Sequence, residues 1–176
     1  GCREALYTVQ HLIRRSSAPS LSLGLIDLSK AFDKVCRKKL LLGLLQFGVP
    51  KSFLTKIRDG HEHANLRACF QGKCARGTSV SKGVYQGSPL SPALYILYEH
   101  LIYLEFSRRC EDENLQGVKL EEGNHFSNED FHLRENQGSH HHDKNIRMIR
   151  YADDTTIVSP TLIGLGRMMK VYIDVI

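Results

Sequence analysis

No apolar run in this sequence approaches the roughly 20 residues a membrane-spanning helix needs, and no secretory leader is visible. A membrane partner is therefore not expected. Cysteine is sparse and scattered: Cys2, Cys36, Cys69, Cys74 and Cys110 are odd in number and form no C-x-x-C pair. That pattern argues against a disulfide framework or a zinc knuckle. Cys69 and Cys74 could face each other across a hairpin, but reduced thiols in a reducing, intracellular compartment are the expectation. There is no internal repeat. The chain starts on Gly1 rather than Met and stops at Ile176 inside an apolar periodic stretch. Both ends suggest a piece of a longer polyprotein.

What remains is an ordinary globular composition, 41% hydrophobic and 24% charged over 176 residues, enough for one domain with a core. The net charge of +5, from 24 Lys and Arg against 19 Asp and Glu, suits a polyanionic partner without naming one.

Periodicity predicts a helix over 4–13, a break at Ser16 to Ser20, and a strand over 21–27 ending on Asp27. Strict alternation puts Asp27 on the same face as Leu21, Leu23 and Leu25, which leaves open how the carboxylate escapes a buried face. A leucine-rich helix is expected over 34–47, with Gly48 as its C-terminal cap and Pro50 blocking continuation. A short helix over 53–57 follows. The segments 66–70 and 75–80 flank Gln71-Gly72-Lys73 as a hairpin. Ser91 and Pro92 read as N-cap and first helical residue of a long, buried helix to about Arg108. Residues 122–145 are polar and aperiodic, with His140, His141 and His142, and read as an exposed, disordered insertion. Consecutive histidines share one ion less readily than helically spaced ones, so a solvated loop is expected there rather than a metal site. Strands over 146–151 and 155–159 should meet at Ala152-Asp153-Asp154, and a last helix begins near Thr161.

Three segments carry chemistry together. Leu25-Ile26-Asp27-Leu28-Ser29-Lys30-Ala31-Phe32-Asp33 places a carboxylate where a strand gives way to a turn. Gly83-Val84-Tyr85-Gln86-Gly87-Ser88-Pro89-Leu90-Ser91-Pro92 is a Gly/Pro-rich loop entering the long helix. Tyr151-Ala152-Asp153-Asp154 sets two acids side by side. Any one of these has a bland alternative, a helix cap or a solvated turn. If Asp27, Asp153 and Asp154 converge, each pair near 4 Å costs about 1 kcal/mol in water and about 4 kcal/mol at an effective dielectric near 20. Protonation or hard divalent cations relieve that repulsion. Two such ions bridged by carboxylates can activate a 3′-hydroxyl and stabilise leaving pyrophosphate.

This combination resembles the reverse transcriptases of non-LTR, LINE-type retrotransposons, and the resemblance covers most of the chain. The segments at Asp27–Asp33, Gln86–Pro92 and Tyr151–Asp154 look like that family's motifs A, B and C, in order. Arg3-Glu4-Ala5-Leu6 is similar to what precedes motif A. The resemblance implies an α/β (more closely α+β) polymerase palm: a small antiparallel sheet with helices on one face and carboxylates on the other, the fingers largely and the thumb entirely absent. It implies RNA-directed DNA polymerisation, with RNA template, DNA primer and deoxynucleoside triphosphates as partners, in the cytoplasm or nucleus.

Residue by residue, Asp27, Asp153 and Asp154 would be catalytic and hold two Mg2+ or Mn2+ ions. Phe32 would be the aromatic gate under the incoming sugar, where it could otherwise be a core aromatic. Gln86 and Gly87 would line the nucleotide pocket. Tyr85 departs from the family, which usually carries arginine there. The rival readings are a catalytically silent palm that binds nucleic acid or protein, and a two-metal nuclease, which would need neither Phe32 nor the Gln86-Gly87 loop.

Overall fold

A computed structural model of the chain describes residues 2–62, 65–119, 145–151 and 154–176. In chain order the elements begin with α1 (Cys2–Arg15), β1 (Ser22–Asp27), α2 (Ala31–Lys34), α3 (Arg37–Gln46) and α4 (Lys51–Glu62). The short strands β2 (Asn65–Leu66), β3 (Cys69–Phe70), β4 (Lys73–Cys74) and β5 (Thr78–Ser79) precede the long helix α5 (Ser91–Asp112). Then come β6 (Val118–Lys119), β7 (Asn145–Ile146), β8 (Met148–Tyr151), β9 (Asp154–Ser159) and α6 (Leu162–Val175). Helices with small antiparallel sheets make the chain α+β, as expected. None of the described helices is long and apolar enough to cross a membrane. The expected insertion over 122–145, with His140–His142, lies outside the described residues apart from Asn145.

The chain divides into two compact units, Gly1–Asp27 with Ser107–Ile176, and Leu28–Phe106. The first is built on a three-stranded antiparallel sheet in the order β1-β9-β8. α6 lies against one face: a Cβ on Gly24 would meet Met169 Sδ at 3.0 Å and Leu165 Cδ1 at 3.1 Å. On that same face the buried Thr155 hydroxyl lies 3.2 Å from that of Tyr172. The opposite face carries Val158, which packs with Leu12 of α1, Val118, Leu21, Ile146 and Ile149. Helices thus lie on both faces rather than one, α1 reaching the second through Leu12. Beyond Leu21, which packs in that cluster, the leucine face of β1 opens to solvent toward Asp27. Leu25 is 81% exposed, and the strand buries Gly24 instead, so the alternation that put Asp27 with the leucines puts it in solvent.

In the second unit the expected helix over 34–47 is broken at Val35-Cys36. Gly83 N–H donates to Val35 O and Val84 N–H to Phe32 O, both at 2.9 Å. Those are carbonyls a continuous helix would have used itself. Val35, fully buried, adopts an extended ψ of 121° instead. α3 then ends as predicted at Gly48, whose N–H bonds Leu45 O while Val49 N–H reaches back to Leu44 O, a Schellman cap. α4 is longer than 53–57 because the Pro50 carbonyl opens it, accepting from Phe53 and Leu54 N–H. α3 packs on α5 at Gly43, where any Cβ would overlap Leu101.

The expected hairpin forms, but its turn is the two residues Gln71-Gly72, both at positive φ (47° and 77°), the type I′ arrangement that suits strand twist; Lys73, expected in the turn, begins β4 opposite Phe70. Its flanking cysteines are not two separate thiols, because Cys69 and Cys74 are direct cross-strand partners joined by a disulfide. Register brings their Cα atoms within 4.1 Å, which the spacing of the two residues about the turn dictates.

Candidate functional site

Two adjacent strands of the first unit's sheet end on carboxylates. β1 and β9 stay in register from Ser22↔Ser159 to Asp27↔Asp154, the terminal pair. Residues directly opposite share a face, with Cβ atoms about 4.5–5.5 Å apart. The row continues into β8 through Tyr151↔Asp154, so Asp154 stands between Asp27 and Tyr151. All three are exposed. Neither acid has a hydrogen-bond or ion-pair partner among the described residues.

Like charges opposite one another are unfavourable, by on the order of 1 kcal/mol at an exposed site. An unpartnered, oxygen-only pair is the donor set that hard divalent cations accept. Among the described residues no three His, Cys, Asp or Glu side chains cluster as a metal set. Asp153, the third expected ligand, lies outside them.

The turn leaving Asp27 is forced. Lys30 sits in the left-handed region (φ 56°, ψ 44°), an arrangement that costs a non-glycine residue on the order of 1 kcal/mol. Its carbonyl accepts from Asp33 and Lys34 N–H, which closes the short helix α2 and sets Phe32 within it.

In the second unit, half-buried Phe32 stacks on Tyr95 of α5, ring centroids 4.7 Å apart and planes 14° from parallel. Such a pair is stiff on both sides: the backbone of Phe32 is bonded to Val84, and its ring lies on Tyr95, a buried residue of a helix that otherwise exposes Ile96, Tyr103 and Leu104. Gln86 Nε2 donates to Asp33 Oδ1 at 3.2 Å. Gly87 has φ +87° with Ser88 N–H returning to Tyr85 O, which makes Tyr85–Ser88 a type II turn that favours glycine at its third position. Gly83 is required for a different reason. A Cβ there would lie 2.9 Å from Asp33 and Phe32 backbone atoms, so only glycine lets the two segments lace together. Phe32, Gln86 and Gly87 thus belong to one unit, joined by the backbone bond of Val84 to Phe32 and the side-chain bond of Gln86 to Asp33.

Tyr85, where the family pattern has arginine, turns to α4. Its hydroxyl donates to Gly60 O at 3.0 Å and its ring stacks on His61 at 5.0 Å.

Sequence reasoning missed Arg37. Its guanidinium donates to four backbone carbonyls: Gly83 O at 2.7 Å, Val80 O at 2.6 Å, His61 O at 2.9 Å and Lys82 O at 3.0 Å. One side chain ties the start of α3 to the end of α4 and to the strand leading into the Gly83–Ser88 loop. No motif could have disclosed it, since carbonyl acceptors have no residue type. Nor does any sequence signal pair Asp33 with Gln86.

A family model described as reverse transcriptase (RNA-dependent DNA polymerase) matches residues 9–174. The Pol polyprotein of a type-1 R2 retrotransposable element of Bradysia coprophila is 35% identical over 77 residues, 44% of this chain and 9% of that protein. The Drosophila melanogaster R2DM polyprotein is 29% identical over 99 residues, 55% of this chain and 9% of its own length. An R2 polyprotein of Popillia japonica is 26% identical over 115 residues, 64% of this chain and 18% of its own. The chain therefore spans only a small part of the curated relatives it matches.

Proposed function

Because the chain belongs to the reverse transcriptase (RNA-dependent DNA polymerase) family, we propose that it is the palm of a non-LTR retrotransposon polymerase, copying RNA into DNA by template-directed nucleotidyl transfer. The observation that carries the reading is the terminal register pair Asp27↔Asp154. It supports the assignment of these two acids, with Asp153, as the catalytic carboxylates.

Asp27 and Asp154, with Asp153, would hold two Mg2+ or Mn2+ ions, which when bound would supply charge neutralisation at the attacking and leaving oxygens. In the reaction, the 3′-oxygen of a DNA primer bonds to the α-phosphorus of a deoxynucleoside triphosphate. The α–β anhydride bond breaks, pyrophosphate departs with the electron pair, and the hydroxyl proton passes to solvent.

The chain's other residues orient the substrate. Phe32, backed by Tyr95, is a rigid plate suited to excluding a 2′-hydroxyl. Gln86 is fixed by Asp33, and open space at Gly87 leaves backbone available to a base or sugar. RNA template and DNA primer are the partners this chemistry requires.

The test is primer extension on an RNA template by the full parent polyprotein. Asp27→Asn and Asp154→Asn should each abolish synthesis, and residues 1–176 alone should extend poorly, since positioning of primer and phosphate accounts for about 7–11 kcal/mol of barrier. Full activity in either variant overturns the assignment.

A further inference from the structure

Positive charge is not spread evenly over the chain. Between Glu62 and Glu99 there is no acid, while Arg67, Lys73, Arg76 and Lys82 are all basic. Removing those four from 24 Lys and Arg leaves 20 against 19 Asp and Glu, so one short stretch carries four of the five net charges. All four belong to the second unit and lie on or beside the two-stranded ribbon β2–β5. None has an ion-pair or side-chain hydrogen-bond partner among the described residues.

The ribbon is almost entirely exposed, and Phe70 at its tip is 78% exposed. Phe70 and Lys73 are direct cross-strand partners, so a bare aromatic ring and an ammonium group share one face. Arg67 lies across Gly77, its Nε 3.1 Å from where a Cβ would stand.

An isolated ribbon of this length is marginally stable in water. This one is fastened twice. The Cys69–Cys74 disulfide closes the tip, and Arg37 holds the base by the carbonyls of Val80 and Lys82. A fastened, acid-free arm that presents an aromatic ring loses little conformational freedom when it binds. We propose that the 65–82 ribbon is a docking arm for single-stranded nucleic acid, with an unpaired base stacked on Phe70 and the flanking phosphates met by Lys73, Arg67 and Arg76. Base–aromatic stacking beside cations is the general means of holding single strands without reading sequence. The inference rests on the chain being a nucleic-acid enzyme, and it goes beyond the carboxylate site in naming where the strand is gripped.

Fluorescence anisotropy of residues 1–176 with a labelled single-stranded RNA, titrated at several salt concentrations, tests it without catalysis. Arg67→Gln/Lys73→Gln/Arg76→Gln should flatten the slope of log affinity against log salt by about 2, at roughly 0.7 per lost phosphate contact. Phe70→Ala should weaken single-strand binding about fivefold or more and leave the slope unchanged, with Phe70→Tyr close to wild type. Lys38→Gln/Lys39→Gln removes charge from the same unit outside the ribbon and should alter the slope little. Equal slope changes in the two charge variants mean diffuse attraction and overturn the proposal, as does an unaltered affinity in Phe70→Ala. A Phe70→Ala loss as large on fully paired duplex as on the single strand overturns the stacking assignment. Far-UV circular dichroism melts establish that each variant is folded. The titration is read without nucleotide, primer or metal, so failure of the polymerase reading and failure of the arm appear in separate experiments.

Discussion

Asp27 and Asp154 face each other across the terminal position of β1 and β9, each without a partner among the described residues. Their repulsion, on the order of 1 kcal/mol, is a stability term that can be measured. In EDTA, Asp154→Asn should raise Tm by about 2–4 °C for a chain of this size. Millimolar Mn2+ should raise the Tm of the wild type and have little effect on the variant. Equal metal-induced shifts in both proteins would place the binding elsewhere.

Phe32 is a plate only while Tyr95 backs it. In the full polymerase, Phe32→Val should raise ribonucleotide incorporation while largely sparing deoxynucleotide use. Steady-state kinetics with each nucleotide class decides the matter. Parallel loss of both activities would make Phe32 a packing residue.

Gly83 and Gly87 share a positive φ, 83° and 87°, and differ in surroundings. Gly87→Ala meets open space and should cost about 1 kcal/mol, the left-handed penalty alone. Gly83→Ala adds a clash with backbone and should cost at least about 2 kcal/mol more. Urea melts of the two variants give the comparison, and equal losses would contradict the close approach of Gly83 to Asp33.

Arg37 spends one guanidinium on four carbonyls. Arg37→Ala leaves those acceptors without their donor and should cost about 3 kcal/mol. Arg37→Lys should recover less than half, because an ammonium cannot span a planar fork. In the parent enzyme Arg37→Lys should raise the nucleotide KM more than it lowers kcat, since the loop carrying Gln86 loosens. A stability loss with KM unmoved would confine Arg37 to the fold.

Burial pushes the Cys110 thiol up to about 11, against an opposing pull from Arg147. A folded-state pKa above the unfolded value means the unfolded chain ionises first. Stability from this group is then complete below about pH 9 and is lost as pH rises toward 11. The fall in urea midpoint between pH 8.5 and 10.5 should be smaller in Cys110→Ala than in wild type. Identical pH profiles would contradict the raised thiol.

Local signals were legible where a residue acts on its own neighbours. Gly48 caps α3, and Thr161 caps α6 by accepting from Gly164 N–H at 3.1 Å. Asp27 ends a strand as spacing alone predicts, and a hairpin turns at the expected place, one residue tighter, on Gln71-Gly72. Illegible features depend on distant partners. The break at Val35-Cys36 exists because Gly83 and Val84, some fifty residues on, claim two carbonyls. The helices on both faces of the sheet follow from three-dimensional packing, whereas the facing of Cys69 and Cys74 across the hairpin was legible and only their oxidation was not. Of the expected site, the Asp27–Asp154 pairing is what the fold adds to the motifs. Asp153 lies outside the described residues.

The order of strands also sets an order of assembly. β9 is the middle strand, so β1 waits for a partner 127 residues away at Asp27↔Asp154 and 137 away at Ser22↔Ser159. The unit Leu28–Phe106 is one unbroken stretch whose contacts can close as soon as it is made. On a ribosome, where the N-terminal part emerges first, the arm and the Arg37 clamp should acquire protease resistance while β1 is still single. The two carboxylates meet only when nearly the whole segment has been synthesised. A message truncated before β9 would therefore yield a protein with a folded second unit and no acid pair at all.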